Sequence, residues 1–451
     1  MNDFSRGPRV FYGWYILAAS FVILFLNTGG RSIIGLMVKP MAEEFGWSRG
    51  AISSAVFLNM AVFSVATIVT GRLYDRNGPK WVIAGSTLLF SAGYALMATM
   101  DSLWQFLAYY GVLSAAGLGG ITTSIFGSII GNWFERRRGL AVSLALAGSC
   151  LGQFFLIPVF SDMILVSGWR SPILWIAVLS LAVNLPLVFG VIRGNPDRLG
   201  LEPYGARDRH DRREPRGRVN SLAGPSRAAV APVGLTLSEA MRTRSLWLFT
   251  FVMFVCGGAD YLVTTHLVAM VTDYGISDGA GANMLAWLGL LSLGGILIAG
   301  PAADAIGNKI PIAATFAFRI LLFAVLFSFK GEVPFWIFSL GFGLTLAVTA
   351  PLTPTLLGAL YGVTHLGFIS GFIATAHMLG GGLWAYLGGV VFDSTGNYDL
   401  ILLISAVMAA LALVGTVFIR EKRHLPPSLG ERMSDAPGVV LIPASWLHWR
   451  S

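Results

Sequence analysis

The chain has 451 residues, of which 55% are hydrophobic and 12% are charged, and its net charge is +8. Soluble globular proteins carry about a quarter of their residues as charges, so this composition excludes a soluble domain and indicates a membrane protein. Two isolated cysteines, Cys150 and Cys256, exclude a disulfide framework and a zinc site built on paired cysteines. Paired carboxylates, a nucleophile beside a base and metal-ligand spacing are also missing from the pattern, so neither an enzyme nor a cofactor is predicted.

Long apolar stretches recur along the chain, each near the length of about 20 residues that a helix needs to cross a bilayer. They predict an all-α membrane protein of 12 transmembrane helices, at 11–38, 50–70, 81–99, 103–131, 139–167, 171–192, 245–271, 281–302, 310–328, 334–357, 366–390 and 398–419. The residues before 11 lack a cleavage pattern, so the first stretch is interpreted as an uncleaved helix.

The basic residues are distributed unevenly between the predicted loops. With both termini placed in the cytoplasm, 25 of the 31 basic residues lie on that side, and Arg49, Arg170 and Lys330 lie on the other. The positive-inside rule therefore predicts cytoplasmic termini and an even number of crossings. This topology explains the net charge, so no nucleic-acid partner is inferred.

The predicted domains are two six-helix bundles, 1–192 and 245–420, joined by a basic cytoplasmic linker at 193–244 and followed by a cytoplasmic tail at 421–451. The linker is too charged to pack a core and is predicted to be mostly disordered. Membrane orientation explains its basic run, and contact with anionic lipid head groups is the alternative.

An internal repeat relates the two halves. GRLYDRNGPK at 71–80 recurs as GPAADAIGNK at 300–309, and MAEEFGWSRGA at 41–51 recurs as MVTDYGISDGA at 270–280. Both pairs share an offset of 229 residues, as from Gly71 to Gly300. Two stretches with one offset indicate two parallel copies of a six-helix unit.

The segment GRLYDRNGPK resembles the G-x-L-x-D-R-x-G-x-[RK] loop that follows the second helix in the major facilitator superfamily. The resemblance implies two bundles that alternate their access to a central site. It also implies that Asp75 and Arg76 are gating residues, since the carboxylate can accept from a helix start and pair with arginine, latching the cytoplasmic side. The repeat extends this gating prediction to Asp304.

The segment from Asn132 resembles the fifth-helix motif of the monocarboxylate transporter family. The matching residues are Phe134, Arg136, Arg137, Leu140, Ala141, Ala145, Ala147, Gly148 and Gly152, and Tyr12-Gly13-Trp14 resembles the start of that family's first helix. Arg136 and Arg137 are predicted gating residues, with anchoring at the membrane interface as the alternative. The small residues predict a surface on which helices pack closely.

Ionisable side chains inside a membrane span need a partner or a water-filled cavity. The repeat offset relates Arg31 in helix one to Asp260 in helix seven, and in the facilitator fold both helices line the central cavity. We therefore expect the two charges to face each other. Arg31 is predicted to bind an anion through its planar guanidinium, and Asp260 to contact substrate and carry the coupling proton. A permanent Arg31–Asp260 salt bridge that only tunes helix packing is the alternative.

Further polar residues are candidates for substrate contact: Asn27, Gln153, Tyr261, Arg319, His377, Trp384 and Tyr386. Arg319 has an alternative partner in a carbonyl group or a helix of its own half. Lys39 and Arg49 are expected to reach water at the outer surface. The family resemblance implies an Asp/Arg pair in helix eight, but 281–302 carries no charge, so Asp260 is expected to supply the acid.

Together these features predict a secondary active transporter of a small organic anion, monocarboxylate-like and coupled to protons, in the inner (plasma) membrane. The alternatives are an anion exchanger of the oxalate/formate type, efflux of an apolar cation bound by Asp260, and a non-transporting membrane sensor. The lipid bilayer, the substrate and the proton are the expected partners, and no obligate protein partner is predicted.

Overall fold

The computed structural model describes residues 11–206, 237–362 and 365–419. Within these ranges the protein is helical, apart from one isolated bridge between Phe134 and Tyr204. The long helices, numbered α1 to α12 in chain order, are Tyr12–Phe45, Arg49–Asn77, Pro79–Met97, Leu103–Trp133, Arg138–Ser167, Arg170–Gly190, Arg244–Asp273, Asp278–Ile306, Lys309–Ser328, Glu332–Tyr361, Leu366–Thr395 and Asp399–Phe418. Each of them overlaps one of the helices predicted from the sequence.

Eleven of these helices are long and apolar enough to cross a membrane. The remaining one, α3, is a continuous helix of 19 residues that contains small and polar residues such as Gly85, Ser86, Ser91 and Gly93. These residues permit close packing: a Cβ on Gly93 would lie 2.7 Å from the backbone nitrogen of Ser114 in α4. The residues that make α3 less apolar than the other long helices thus allow it to pack closely against α4.

Three predicted helices are not continuous: besides α1 and α4, α10 breaks between Leu346 and Thr349. α1 has a one-residue break at Ile33 and continues to Phe45, past the predicted end at 38. α4 is interrupted between Leu118 and Thr123, where a Cβ on Gly119 would lie 2.6 Å from Ala66 of α2. The hydroxyl of Thr122 then caps the second part of α4 by accepting from the backbone nitrogen of Ile125 at 3.4 Å. Glycine at this break permits the close approach of α4 to α2.

The predicted close-packing surface of helix five is confirmed. A Cβ on Gly148 would collide with the backbone carbonyl of Phe21 in α1, and one on Gly152 would collide with that of Phe25. In the second half, Gly257 of α7 lies in the same way against the backbone of His377 in α11. Glycines thus set the spacing of the helix pairs that carry the polar site.

Gly152→Ala is expected to lower the free energy of unfolding by about 1–3 kcal/mol, because the added methyl group overpacks the contact between α5 and α1. The thermal unfolding midpoint of the purified protein in detergent measures this loss. Gly85→Ala is the matched control, since a Cβ at Gly85 meets open space. Equal midpoints for the two variants would contradict the packing argument.

The two ends of the predicted linker are ordered. Residues 193–206 include a short helix, Pro196–Leu199, and the backbone of Tyr204 exchanges hydrogen bonds with Trp133 and Arg136 at 2.9 Å each. A second short helix, Leu237–Met241, precedes α7. At the first end the ring of Tyr204 packs against Phe11 and Phe134. That the linker as a whole is mostly disordered stays a prediction. Residues 207–236 of the linker and the tail from 420 lie outside the described residues.

Candidate functional site

A cavity of about 200 Å³ lies between the two halves. Helices α1, α2, α4 and α5 of the first half and α7, α10 and α11 of the second half line it. Its polar walls are Arg31, Tyr110, Gln153, Asp260, Tyr261 and His377, together with threonine and serine hydroxyls. Five residues predicted from the sequence are therefore brought to one cavity, and its volume suits a small solute.

Arg31 presents an unneutralised cation to this cavity. Its Nη2 donates to the phenolic oxygen of Tyr261 at 2.6 Å and lies 3.1 Å from the sulfur of Met60. The guanidinium carbon lies 4.8 Å from the ring centre of Phe63 and 5.3 Å from that of Tyr261. Within the described part of the chain, no carboxylate lies within salt-bridge distance of Arg31. The guanidinium is held by neutral groups and keeps its charge available.

Asp260 has partners other than Arg31. Its Oδ1 accepts from Nη2 of Arg319 at 2.6 Å, and its Oδ2 lies 3.2 Å from Nε2 of His377 and 3.7 Å from the sulfur of Cys256. The alternative of a permanent Arg31–Asp260 salt bridge is therefore wrong, although both residues line the same cavity. The reason is the helical turn of about 100° per residue, which points Asp260 towards α9 and α11 while Tyr261, the next residue, meets Arg31.

Arg319 lies behind Asp260 and not in the cavity wall. Its side chain is fully buried, and it donates to the hydroxyl and the carbonyl of Thr345 at 3.1 Å each and to the carbonyl of Cys256 at 3.4 Å. These partners belong to its own half, as the alternative drawn from the sequence stated. Arg319 is not among the residues that line the cavity, whereas its partner Asp260 is.

The ligand atoms of Cys256, Asp260 and His377 lie within 4.8 Å of one another, which raises the question of a metal ion. Arg319 donates to Asp260 and lies 3.6 Å from the sulfur of Cys256, so a fixed cation already occupies this side of the cluster. A second cation would be repelled by it at short range. The arrangement suits proton binding better than metal binding.

The other predicted residues are placed differently. Gln153 donates from Nε2 to the backbone carbonyl of Leu285 in α8 at 3.0 Å and so connects the two halves at the cavity wall. Asn27 turns away from the cavity because its Nδ2 donates to the carbonyl of Ile23 at 2.7 Å. Trp384 and Tyr386 also lie outside the cavity lining, where they pack against Phe254 and Phe57. The geometry does not place Asn27, Trp384 or Tyr386 against a solute.

Sequence reasoning missed Tyr110, which is 2% exposed and lines the cavity. Among the described residues, no hydrogen-bond partner is assigned to its hydroxyl, whereas its carbonyl accepts from Asn59 at 2.7 Å. Tyr110 lies in a π-helical stretch, Leu107–Ser114, whose wider turn shifts the side-chain directions. The spacing of a regular α-helix therefore does not predict that Tyr110 faces the cavity.

The predicted gating residues lie at the end of the molecule opposite the α1–α2 loop. Asp75, Arg76 and Asp304 are exposed, and within the described ranges no hydrogen bond joins them to the other half. Arg136 donates from its backbone nitrogen to the carbonyl of Tyr204 at 2.9 Å, and Arg137 adopts a φ of 57° just before α5 begins. Their gating role stays a prediction.

Two helical bundles around one polar cavity define a multi-pass membrane transporter. The chain belongs to the Major Facilitator Superfamily, whose family model matches residues 20–327 and again 249–451. The chain is 26% identical to an uncharacterized transporter of this type, YcxA of Bacillus subtilis (strain 168), over 89% of this chain and 93% of the relative.

Two further relatives are named for their substrates. Monocarboxylate transporter 11 of Homo sapiens is 25% identical, over 96% of this chain and 90% of the relative. The oxalate:formate antiporter of Oxalobacter formigenes is 23% identical, over 92% and 93% of the two chains. A crystal structure of a mutant of the nucleoside transporter NupG shares the fold, with a TM-score of 0.71 and 13% identity over 90% of this chain and 99% of that chain. The chain thus resembles monocarboxylate transporters among facilitators.

Proposed function

We propose that this protein is a secondary active transporter of a small organic anion, a monocarboxylate or a close analogue, that moves together with a proton by alternating access. The observation that carries the proposal is Arg31, an arginine in the cavity held by Tyr261 and Met60 and by no carboxylate of the described chain. A guanidinium fork matches the two oxygens of a carboxylate. Relatives named for monocarboxylates support the substrate class.

The Asp260–His377–Arg319 cluster is the proposed proton site. A proton taken up by the Asp260–His377 pair adds one positive charge to the wall of the cavity that holds Arg31, and thus favours an anion there. By thermodynamic linkage, a bound anion favours proton uptake by the same factor. Within this cluster, Asp260 of α7 and Arg319 of α9 take the place of the Asp/Arg pair that the family resemblance implies for helix eight.

We propose that the chain crosses the inner (plasma) membrane twelve times with both termini in the cytoplasm. α3 completes the even number, since its 19 residues span about 28 Å at 1.5 Å per residue. In this orientation the halves are joined by side chains at the outer end, around Arg49. We infer that the cavity opens towards the cytoplasm. Exposed Asp75, Arg76 and Asp304 then belong to a cytoplasmic gate in its open state.

The experiment that tests the proposal measures uptake of labelled acids into proteoliposomes, with and without an inward proton gradient. The panel contains acetate, lactate and pyruvate as monocarboxylates and oxalate as a dicarboxylate. We expect the gradient to drive accumulation of at least one monocarboxylate. If no carboxylate moves under any condition, the anion proposal is wrong and an apolar cation becomes the next substrate class to test.

Anion exchange is the second candidate function, favoured by the similarity to the oxalate:formate antiporter. Exchange needs a cation in the cavity, which Arg31 supplies, and no titrating acid. Anion exchange predicts that the rate of uptake is independent of the proton gradient and is increased by anion inside the vesicles. Cation efflux has less support, because Arg319 already neutralises Asp260 at 2.6 Å.

A further inference from the structure

A dense group of contacts joins the two halves at the end of the molecule where α1 meets α2. Arg49, the first residue of α2, donates from Nη1 and Nη2 to both carboxylate oxygens of Asp273 in α7, at 2.6 and 2.7 Å. Nη1 also donates to the hydroxyl of Tyr398 at 2.8 Å, and the guanidinium carbon lies 3.6 Å from the ring centre of Phe392. We name Arg49, Asp273, Phe392, Asp393 and Tyr398 the Arg49 clamp.

The clamp also fixes the backbone of α2. The carboxylate of Asp393, near the end of α11, accepts from the backbone nitrogens of Arg49 and Gly50 at 2.9 and 2.7 Å. A carboxylate at a helix N-terminus is favoured by the helix dipole and satisfies donors that have no partner within the helix. Glycine permits the approach, since a Cβ on Gly389 of α11 would lie 2.6 Å from the carbonyl of Arg49.

Burial makes this clamp stronger than a surface ion pair. The side chain of Arg49 is 9% exposed and that of Asp273 is 23% exposed. Bidentate arginine–carboxylate pairs with little water access are the strong members of their class, and removing one partner leaves the other charge uncompensated. The expectation that Arg49 reaches water at the surface is therefore wrong, because two carboxylates of the opposite half hold it.

We propose that the Arg49 clamp is the gate that closes the cavity on this side, and that it opens in every transport cycle. The proposal rests on the alternating-access function given above. Residues of the first half meet residues of the second half at each of its contacts, so the halves cannot separate at this end without breaking Arg49–Asp273 and Asp393–Gly50 together.

The helices of the clamp are also the helices of the proton site. α7 carries both Asp260 and Asp273, and α11 carries both His377 and Asp393. His266 of α7 is fully buried and lies along the helix between Asp260 and Asp273. Its Nε2 is 2.8 Å from the carbonyl of Ala385 in α11, so it connects the two helices between the proton site and the clamp. A change of the Asp260–His377 contact that shifts α7 against α11 therefore displaces both clamp carboxylates. This linkage makes the clamp sensitive to the occupancy of the proposed proton site.

The internal repeat supplies a matched control. Glu44 is the equivalent of Asp273, 229 residues earlier. It accepts from Arg170 and from the indole nitrogen of Trp169 at 2.5 Å each, and both partners belong to its own half. Loss of the Glu44 carboxylate removes an ion pair at the same end of the molecule without loosening the contact between halves.

The test measures the distance between the halves by pulsed electron resonance, with spin labels on cysteines introduced at Val166 and Val333. These positions are 86% and 67% exposed, at the clamp end of α5 and α10. The native cysteines are buried, and a chain without introduced cysteines gives the labelling background. We expect Asp273→Asn and Arg49→Gln to raise the ratio of long to short distances by about tenfold, and Glu44→Gln to change it by less than about twofold.

Two further variants keep the test decisive if removal of a charge impairs folding. Gly389→Ala changes no charge, and its methyl group is expected to shift the distances in the same direction. Arg49→Lys keeps the charge but loses the bidentate geometry, so an intermediate ratio is expected. Unchanged distances in the folded Gly389→Ala and Arg49→Lys proteins would overturn the proposal. No substrate is needed for the measurement, so this failure is distinct from a failure of the proposed transport function.

Discussion

Arg31→Gln is expected to reduce the initial rate of anion uptake by about 100-fold, since it removes the charged partner of a substrate carboxylate in a confined cavity. The distances of 2.6 Å to Tyr261 and 3.1 Å to Met60 show that neutral groups orient the guanidinium. Glutamine keeps a hydrogen-bond donor, on a shorter side chain, but has no charge. Uptake into proteoliposomes at a fixed proton gradient measures the effect.

Tyr261→Phe is the control for Arg31→Gln. It keeps the charge of Arg31 and the ring that packs beside it, and removes only the hydroxyl that accepts from Nη2. We expect the initial rate of anion uptake to fall by about tenfold, because the guanidinium of Arg31 keeps its charge but loses its fixed position. If Arg31→Gln transports at the native rate in a folded protein, then Arg31 does not bind the anion and the proposed function loses its main support.

Asp260→Asn is expected to abolish accumulation driven by a proton gradient, while exchange of labelled for unlabelled anion continues. Asparagine cannot take up a proton and leaves His377 without its carboxylate partner, whereas Arg31 remains to bind the anion. Counterflow and gradient-driven uptake, measured on the same vesicles, separate these two activities. Native gradient-driven accumulation in the Asp260→Asn protein would contradict the assignment of the proton site.

The buried partner of Asp260 requires a second variant. Asp260→Asn leaves the guanidinium of Arg319 without a carboxylate inside the protein, and breaking such a pair from one side costs about 3–5 kcal/mol. The double variant Asp260→Asn with Arg319→Gln removes both charges and is expected to recover stability but not proton coupling. Loss of coupling in both proteins assigns the defect to the proton site and not to unfolding.

Several features of this site followed from helical periodicity and from the repeat. The offset of 229 residues identified α1 and α7 as equivalent helices, and Arg31 and Asp260 do line one cavity. The small residues of helix five predicted a close contact that Gly148 and Gly152 make with α1. Such inferences succeed because each depends on spacing along a single helix or between two copies of one unit.

Other features depended on angles that spacing does not specify. Arg31 pairs with Tyr261 and not with Asp260, because one residue along α7 changes the side-chain direction by about 100°. Tyr110 reaches the cavity from a π-helical turn, and Arg49 meets Asp273 and Asp393 from distant parts of the chain. No sequence pattern within a single helix predicts these contacts.

The sequence by itself determined the membrane character of this protein, its long apolar helices, the pairing of its two halves and the family to which it belongs. These properties arise from composition, from hydropathy over about 20 residues and from a repeat, all of which are read along the chain. Only the tertiary structure decided which charges neutralise each other, which arginine stays available in the cavity and where the halves are joined. Those outcomes depend on the rotation and separation of packed helices, which backbone contacts at glycines such as Gly257 and Gly389 set.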